Sequence, residues 1–295
     1  MKNLPTFTLI HSKVPGVAGS KAMLPDQLTG INASKTLRQG LGRTAHLLGG
    51  EAREQLTREL SGKSRAKTIG VWDMGAWVGG LPAVIETLNA AQPVITFFEI
   101  QAAVPAGLVS SPEKLMKFAE RRLRRKLTTF EKHSAGNAIL DDDFFPRADA
   151  VRRDLGIDCV VALTPAKLAA LYKPEDEPRT IYYDFFSSSD DHNSIVSVDG
   201  LRKLADRAGR PYEMAVGYLF VAATLAGIGG TQIDFHDDDR GCLFDFNEQR
   251  GTLVPGLRTP AIEPDCLKKI SAKYRDAATA MIDALATYQP PSPAE

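Results

Sequence analysis

Near the end of the chain, the stretch from Thr231 to Cys266 reads TQIDFHDDDRGCLFDFNEQRGTLVPGLRTPAIEPDC and gathers the side chains best suited to chemistry. His236 precedes three consecutive carboxylates, Asp237, Asp238 and Asp239. Arg240 and the thiol of Cys242 follow, and Cys266 lies beyond a further loop. Imidazole nitrogen, thiolate sulfur and carboxylate oxygen are the donors that zinc accepts, four at a time in structural sites and three plus water in catalytic ones. His236, Asp237 and Arg240 are therefore the candidate catalytic groups of a pocket acting on a ligand. Asp234, Asp237 and Asp239 could instead bind a divalent cation through oxygen, although HDDDRG lacks the glycine and glutamate of a calcium loop.

A structural reading of the same residues competes with these. Asp237, Asp239, Arg240, Asp245, Arg250 and Arg258 alternate in sign. Arg240 or Arg258 is expected to form bidentate pairs with the aspartates, bringing Asp237, Arg240, Cys242, Asp245 and Arg258 together behind a buried helix. On this reading Cys242 and Cys266 are small buried hydrophobes. His192, beside Asp190 and Asp191 in a serine-rich loop, is expected at the surface, and spacing suggests no partner for His46 or His133. No GxGxxG after a strand, GxxxxGKS, GxSxG or CxxC occurs in the chain.

The elements that must hold these residues belong to a chain of 295 residues with 36 Lys plus Arg and 36 Asp plus Glu, so no net field draws it to nucleic acid or a membrane. Neither is expected as a partner. Three cysteines, Cys159, Cys242 and Cys266, make a poor disulfide framework and suit a reducing compartment. With no signal-like N-terminus and no window of membrane-spanning length, a cytoplasmic location is expected.

Residues 1–67 form a basic extension, rich in Gly, Lys, Arg and Ser, with one helical pattern from Ala45 to Leu60. The extension is expected to carry contact with a protein partner or self-association. From residue 68 to 288 strands and helices alternate, which predicts an α/β domain. TIGVWDMG reads as a strand, VGGLPAVIETLNAA as a helix and VITFFEIQAAV as a strand. A helix over 113–133 opens at Ser111-Pro112 and bears the basic run Arg121, Arg122, Arg124, Arg125 and Lys126. DCVVALT is a strand, Pro165–Tyr172 a short helix, IYYDFF a strand, SSSDDHNS a polar loop and NSIVSV a short strand. PYEMAVGYLFVAATLAG is apolar all round and marks a buried central helix, with Gly227, Gly229 and Gly230 to end it. A C-terminal helix from Cys266 to Tyr288 precedes a tail, 289–295, expected to be disordered.

This order of pieces resembles the archaemetzincin branch of the zinc metallopeptidases over roughly Val94 to Ile270. Gly156-Ile-Asp-Cys-Val-Val-Ala-Leu-Thr164 with Lys167-Leu168 stands where that family has an LGLTdvDL element. Ser194–Leu201 is similar to its edge strand, and His236 through Asn247 matches the spacing HC-x4-C-x-M-x-S. The resemblance implies a zincin-like mixed sheet packed with helices. It places His236 at the third zinc histidine, Phe244 at the methionine turn, and Asp237, Cys242, Glu263 and Cys266 at a structural zinc site. No HExxH occurs anywhere, and the buried helix offers Phe220, Val221 and Thr224 where two histidines and a glutamate would stand. A zinc peptidase needs that chelating pair and that base.

The expectation is therefore a catalytically inactive metallopeptidase-like protein with a binding or regulatory role. An enzyme of another class and a ligand sensor, each using a remodelled His236/Asp/Arg pocket, are the alternatives. No cofactor is expected, zinc being the one the Asp237/Cys242/Glu263/Cys266 set could hold. An open charged cleft over His236 would favour enzyme or sensor, a filled one the binding protein.

Overall fold

The computed structural model describes residues 6–9 (backbone only), 66–100, 104–172, 180–228, 233 and 235–291. Three apolar runs build the centre. Lys67–Asp73 (β2), Ile95–Ile100 (β3) and Cys159–Thr164 (β6) lie parallel, with β2 in the middle. Every residue of β3 and β6 is buried, as expected for parallel strands covered on both faces. Asn193–Ser197 (β10) continues the parallel set beyond β6, and Ser187–Ser189 (β9) closes the edge antiparallel, giving the order β3-β2-β6-β10-β9.

The period-two alternation of these strands sorts their side chains into two cores. Ile69, Val71, Phe97, Val161, Leu163 and Val196 face helices Leu81–Ala91 (α1), Tyr212–Gly227 (α6) and Ala272–Ala286 (α9). Trp72, Phe98, Val160, Ala162 and Ile195 face helix Asp141–Leu155 (α4), through Phe144 and Ala148. Helix α6 is buried along almost its whole length, from Met214 through Leu225. Gly217 lets it lie against both neighbours: a Cβ there would stand 2.8 Å from Leu285 and 2.9 Å from Val84. Phe220 packs on Phe97 with ring centroids 4.9 Å apart.

A second mixed sheet has the order β1-β8-β7-β5-β4, from Thr6–Leu9 (β1), Val109–Ser110 (β4), Ala138–Leu140 (β5), Lys167–Tyr172 (β7) and Thr180–Phe185 (β8). Strand β1, from the N-terminal extension, pairs in parallel with β8. Helix Pro112–Leu123 (α2) covers this sheet with Leu115, Ala119 and Leu123. The remaining helices are Thr129–Ser134 (α3), Leu201–Ala208 (α5), Leu253–Arg258 (α7) and Pro264–Lys269 (α8), with a 3-10 turn at Arg250–Thr252. The chain is thus a mixed α/β fold with two mixed sheets and nine α-helices among the described residues, a buried central helix and a C-terminal helix. No helix among the described residues is long and apolar enough to cross a membrane.

Several elements depart from the sequence expectations, each for a physical reason. The segment expected as a short helix at Pro165–Tyr172 is strand β7, because it pairs with β5 on one side and β8 on the other, and pairing overrides the helix propensity of Lys, Leu and Ala. The helix expected over 113–133 breaks at Arg124, whose φ is 55°. It restarts at α3, where Thr128 and Glu131 form a reciprocal capping box. The polar loop SSSDDHNS contains β9, and it is β9 that occupies the sheet edge, while Ser194–Leu201, expected there, contributes the interior strand β10. The single C-terminal helix from Cys266 is two helices, α8 and α9, parted at Ile270 and Ser271. Strand β5 and helix α4 were not anticipated. The expected helix Ala45–Leu60, His46, Asp234, Gly229, Gly230 and residues 292–295 lie outside the described residues.

Candidate metal centre

Past α6 the chain folds back on itself in a compact loop. The main chain of His236 donates to Phe244 O at 3.1 Å and accepts from Phe246 N at 3.0 Å, so His236 and Asp245 face each other as an isolated parallel bridge. Phe235 meets the buried Phe244 edge-on, centroids 5.8 Å apart. The reversal between the two arms runs through Gly241, at φ 83°, a conformation that glycine adopts without strain. One oxygen of Asp245, Oδ2, accepts from the backbone N–H groups of Arg240 (2.9 Å), Gly241 (2.6 Å) and Cys242 (3.0 Å). A single buried carboxylate thereby sets the turn that carries Cys242.

The segment before α8 docks on this loop. Leu243 N donates to Ala261 O at 2.8 Å, and Glu263 N donates to Cys242 Sγ at 3.4 Å. Glu263 is the N-cap residue of α8, and Cys266 is on the buried side of that helix. The consequence is a cluster: one ligand atom each from His236, Cys242, Glu263 and Cys266 lies within 4.8 Å of the others. A tetrahedral zinc with bonds of about 2.0–2.3 Å holds its donors about 3.3–3.8 Å apart, so small side-chain movements would close the set around an ion.

The ring of His236 is oriented for this. Its Nδ1 lies 3.0 Å from Asp238 O and 3.2 Å from Asp245 Oδ1, whereas Nε2 points to the cluster, 3.7 Å from Glu263 Oε2. Nε2 is buried without a hydrogen-bond partner. Burial, and then the neighbouring Cys242, push the Cys266 thiol up to about 11. Burial also pushes the Asp245 carboxyl up, against the pull of the Gly241 N–H, the His236 ring and the N–H groups of Arg240 and Cys242. The donor chemistry and the unpartnered nitrogen fit a zinc ion.

Of the residues singled out in the sequence, Cys242, Glu263 and Cys266 meet here and Asp237 does not. Asp237 is exposed, and His236 takes the fourth place. The spacing H-x5-C followed by E-x2-C carries that signal, whereas the family resemblance puts His236 at the third zinc histidine. The proposed ionic network also differs. Arg240 is half-exposed and pairs with Asp238 and with Glu263 Oε2 at 3.2 Å, meeting Asp245 only through its backbone. Arg258 is exposed and reaches Arg207 O at 3.5 Å. His192 is exposed, as expected.

The buried cation is Arg250 instead. It donates to Asp184 Oδ1 at 2.9 Å and to the backbone carbonyl of Asp199, with its guanidinium 4.1 Å from the Phe186 ring centroid. Lys167 joins Asp184 from β7 and stands 3.7 Å from Asp199 Oδ2. Burial pulls the Arg250 guanidinium below its usual range, while Asp184 and Asp199 hold it charged. Nothing in a loop reading EQRGT marks its arginine as interior.

No protein-family model matches the chain, and no curated protein matches it. Two solved structures are similar over most of its length. One is an archaemetzincin from Methanopyrus kandleri, 15% identical, with 74% of this chain and 96% of that chain covered and a TM-score of 0.38. The other is a zinc-dependent peptidase from Methanocorpusculum labreanum, also 15% identical with a TM-score of 0.38, covering 69% of this chain and 100% of that chain. Likeness at this level leaves ligand and activity to the chemistry of the site.

Helix α6 presents Phe220, Val221 and Thr224, all buried, and none of these is an imidazole, thiolate or carboxylate that could hold zinc or take a proton from bound water. A cavity of about 60 Å³ between α6 and the 235–247 loop is walled largely by Phe186, Leu219, Ala222, Phe235 and Phe246, with Asp245 and Asn247 at one side. By that measure the space holds a few waters.

Proposed function

We propose that this chain is a metallopeptidase-like protein without peptide-hydrolysing activity, which binds zinc structurally through His236, Cys242, Glu263 and Cys266 and serves a binding or regulatory role. The observation that carries the reading is the convergence of those four donors around the unpartnered Nε2 of His236. Zinc held there supplies a cross-link between the 236–242 loop and the start of α8, because all four donors are protein groups and no position is left for a substrate. The enzyme and sensor alternatives are weaker on two counts. Asp237 and Arg240 lie at the surface, and the cavity beside Asp245 is small and mainly apolar.

Metal analysis of the purified protein tests the reading. One zinc per chain is expected, with loss of zinc in Cys266→Ser and no cleavage of a generic peptide. A chain that takes up no zinc even when supplied with it overturns the metal assignment, and chelator-sensitive peptide cleavage overturns the inactivity.

The binding role is assigned to the basic extension, residues 1–67, with the α/β domain running from 68 to 288. Strand β1 would then anchor the extension at the edge of β8. Deletion of residues 1–65 should leave a folded domain with a salt-dependent change in solution mass or partner capture. An insoluble truncated protein would place the extension inside the domain instead.

A further inference from the structure

Asp245 is not one of the four zinc donors, yet its side chain is only 1% exposed. Its two oxygens have different work. Oδ2 is saturated by the three backbone N–H groups of Arg240, Gly241 and Cys242. Oδ1 stands 3.2 Å from His236 Nδ1 and has no hydrogen-bond donor aligned on it.

The other neighbour of Nδ1 is Asp238 O, at 3.0 Å. A backbone carbonyl and a carboxylate can only accept, so the proton of the neutral ring belongs on Nδ1. The lone pair is then on Nε2, the atom that faces Cys242, Glu263 and Cys266. From this juxtaposition we infer that Asp245 is the positioning residue of the metal centre: the charge on Oδ1, 3.2 Å behind the Nδ1–H that Asp238 O accepts, favours that tautomer of His236, and Oδ2 holds the turn bearing Cys242. The inference rests on the zinc reading and names the residue that prepares two of its four ligands from outside the ligand set. Partners of this kind, behind a metal-binding histidine, change metal affinity by about 10–100-fold.

Asp245→Asn separates the two tasks. The amide oxygen is held by the three N–H groups, which keeps the turn, and the NH2 group is left facing Nδ1, where it opposes a second N–H. The ring is then driven toward the form with its proton on Nε2, which cannot ligate. Long-range 1H–15N spectra of the metal-free protein, with the His236 signals assigned by His236→Gln, read the tautomer directly. Competition with a chromophoric chelator reads zinc affinity. The expected result is the Nδ1–H form in the wild type, a rise in the Nε2–H form in Asp245→Asn, and zinc binding weaker by about 10–100-fold.

Equal zinc affinity in the two proteins overturns the inference, and so does an Nε2–H ring in the wild type. If Asp245→Asn fails to fold, an Nε2–H wild-type ring still overturns the inference, and Asp245→Ser, which removes the charge behind Nδ1, supplies the affinity comparison with the same expected loss. A wild type that takes up no zinc defeats the zinc reading itself, a result distinguishable from failure of the Asp245 role because the wild-type affinity is measured on its own.

Discussion

Two polar knots lie inside this protein, and they differ in how nearly complete they are. Around Arg250 the charges balance: two cations, Arg250 and Lys167, meet two carboxylates, Asp184 and Asp199, and the arginine also finds main-chain carbonyls and an aromatic face. Around His236 two thiols, a carboxylate and an imidazole nitrogen without a partner face one another. The first knot is a finished set of donors and acceptors. The second has the chemistry of a set that an ion would finish. Buried polar groups persist when their partners are supplied, and the contrast indicates which knot holds the fold by itself and which depends on something bound.

Removing Arg250 should show the largest effect. Arg250→Ala removes one of the two cations that meet the interior Asp184 and takes away the packing on Phe186, so stability should fall by about 3–5 kcal/mol whether or not zinc is present. Thermal melts of the metal-free and zinc-loaded proteins measure this. An unchanged melting temperature would mean that the knot relaxes and that the contrast drawn here does not hold.

A carboxylate outside both knots sharpens the comparison through pH. Burial alone would push Glu131 up, yet the Arg125 pair and the N–H and hydroxyl of Thr128 outweigh it and hold the carboxyl at about 2. A group lowered on folding contributes stability above its unfolded pKa, near 4.5, and loses it as pH falls through the folded value. Wild type should therefore lose on the order of 2 kcal/mol between pH 5 and 2 that Glu131→Gln does not lose in that range, with allowance for the partly exposed Arg125. Parallel acid titrations of the two proteins would show this, and coincident curves would deny Glu131 any special weight.

Arg240→Ala should have the smallest effect. Its guanidinium is half-exposed, and its partners Asp238 and Glu263 lie at or near the surface, where such pairs add little. The metal-free melting temperature should stay within about a degree of wild type. A large drop would show that Arg240 belongs to the interior knot after all.

Much of the framework was legible because it depends on pattern. The apolar runs of β2, β3 and β6, and the all-round apolar character of α6, reflect burial that leaves no other choice of residue. What escaped was decided by contacts distant in sequence. Strand β7 has helix-forming residues and is a strand because β5 and β8 flank it; β9 is three serines, polar enough to pass for a loop. At the site, Cys242, Glu263 and Cys266 could be grouped through the family resemblance. The exchange of Asp237 for His236 depends on the pairing of His236 with the 244–246 arm, which has the His236 ring inside and Asp237 at the surface. The Arg250 knot drew on four separate segments and left no local trace.

The close fit at Gly217 bears on how the molecule breathes. With Val84 and Leu285 pressed against that backbone and nearly the whole of α6 out of contact with water, the amide protons in the middle of that helix can exchange with solvent only when the molecule unfolds as a whole. The 236–247 loop is held by a handful of bonds and can open by itself, so deuterium should enter it long before it reaches α6.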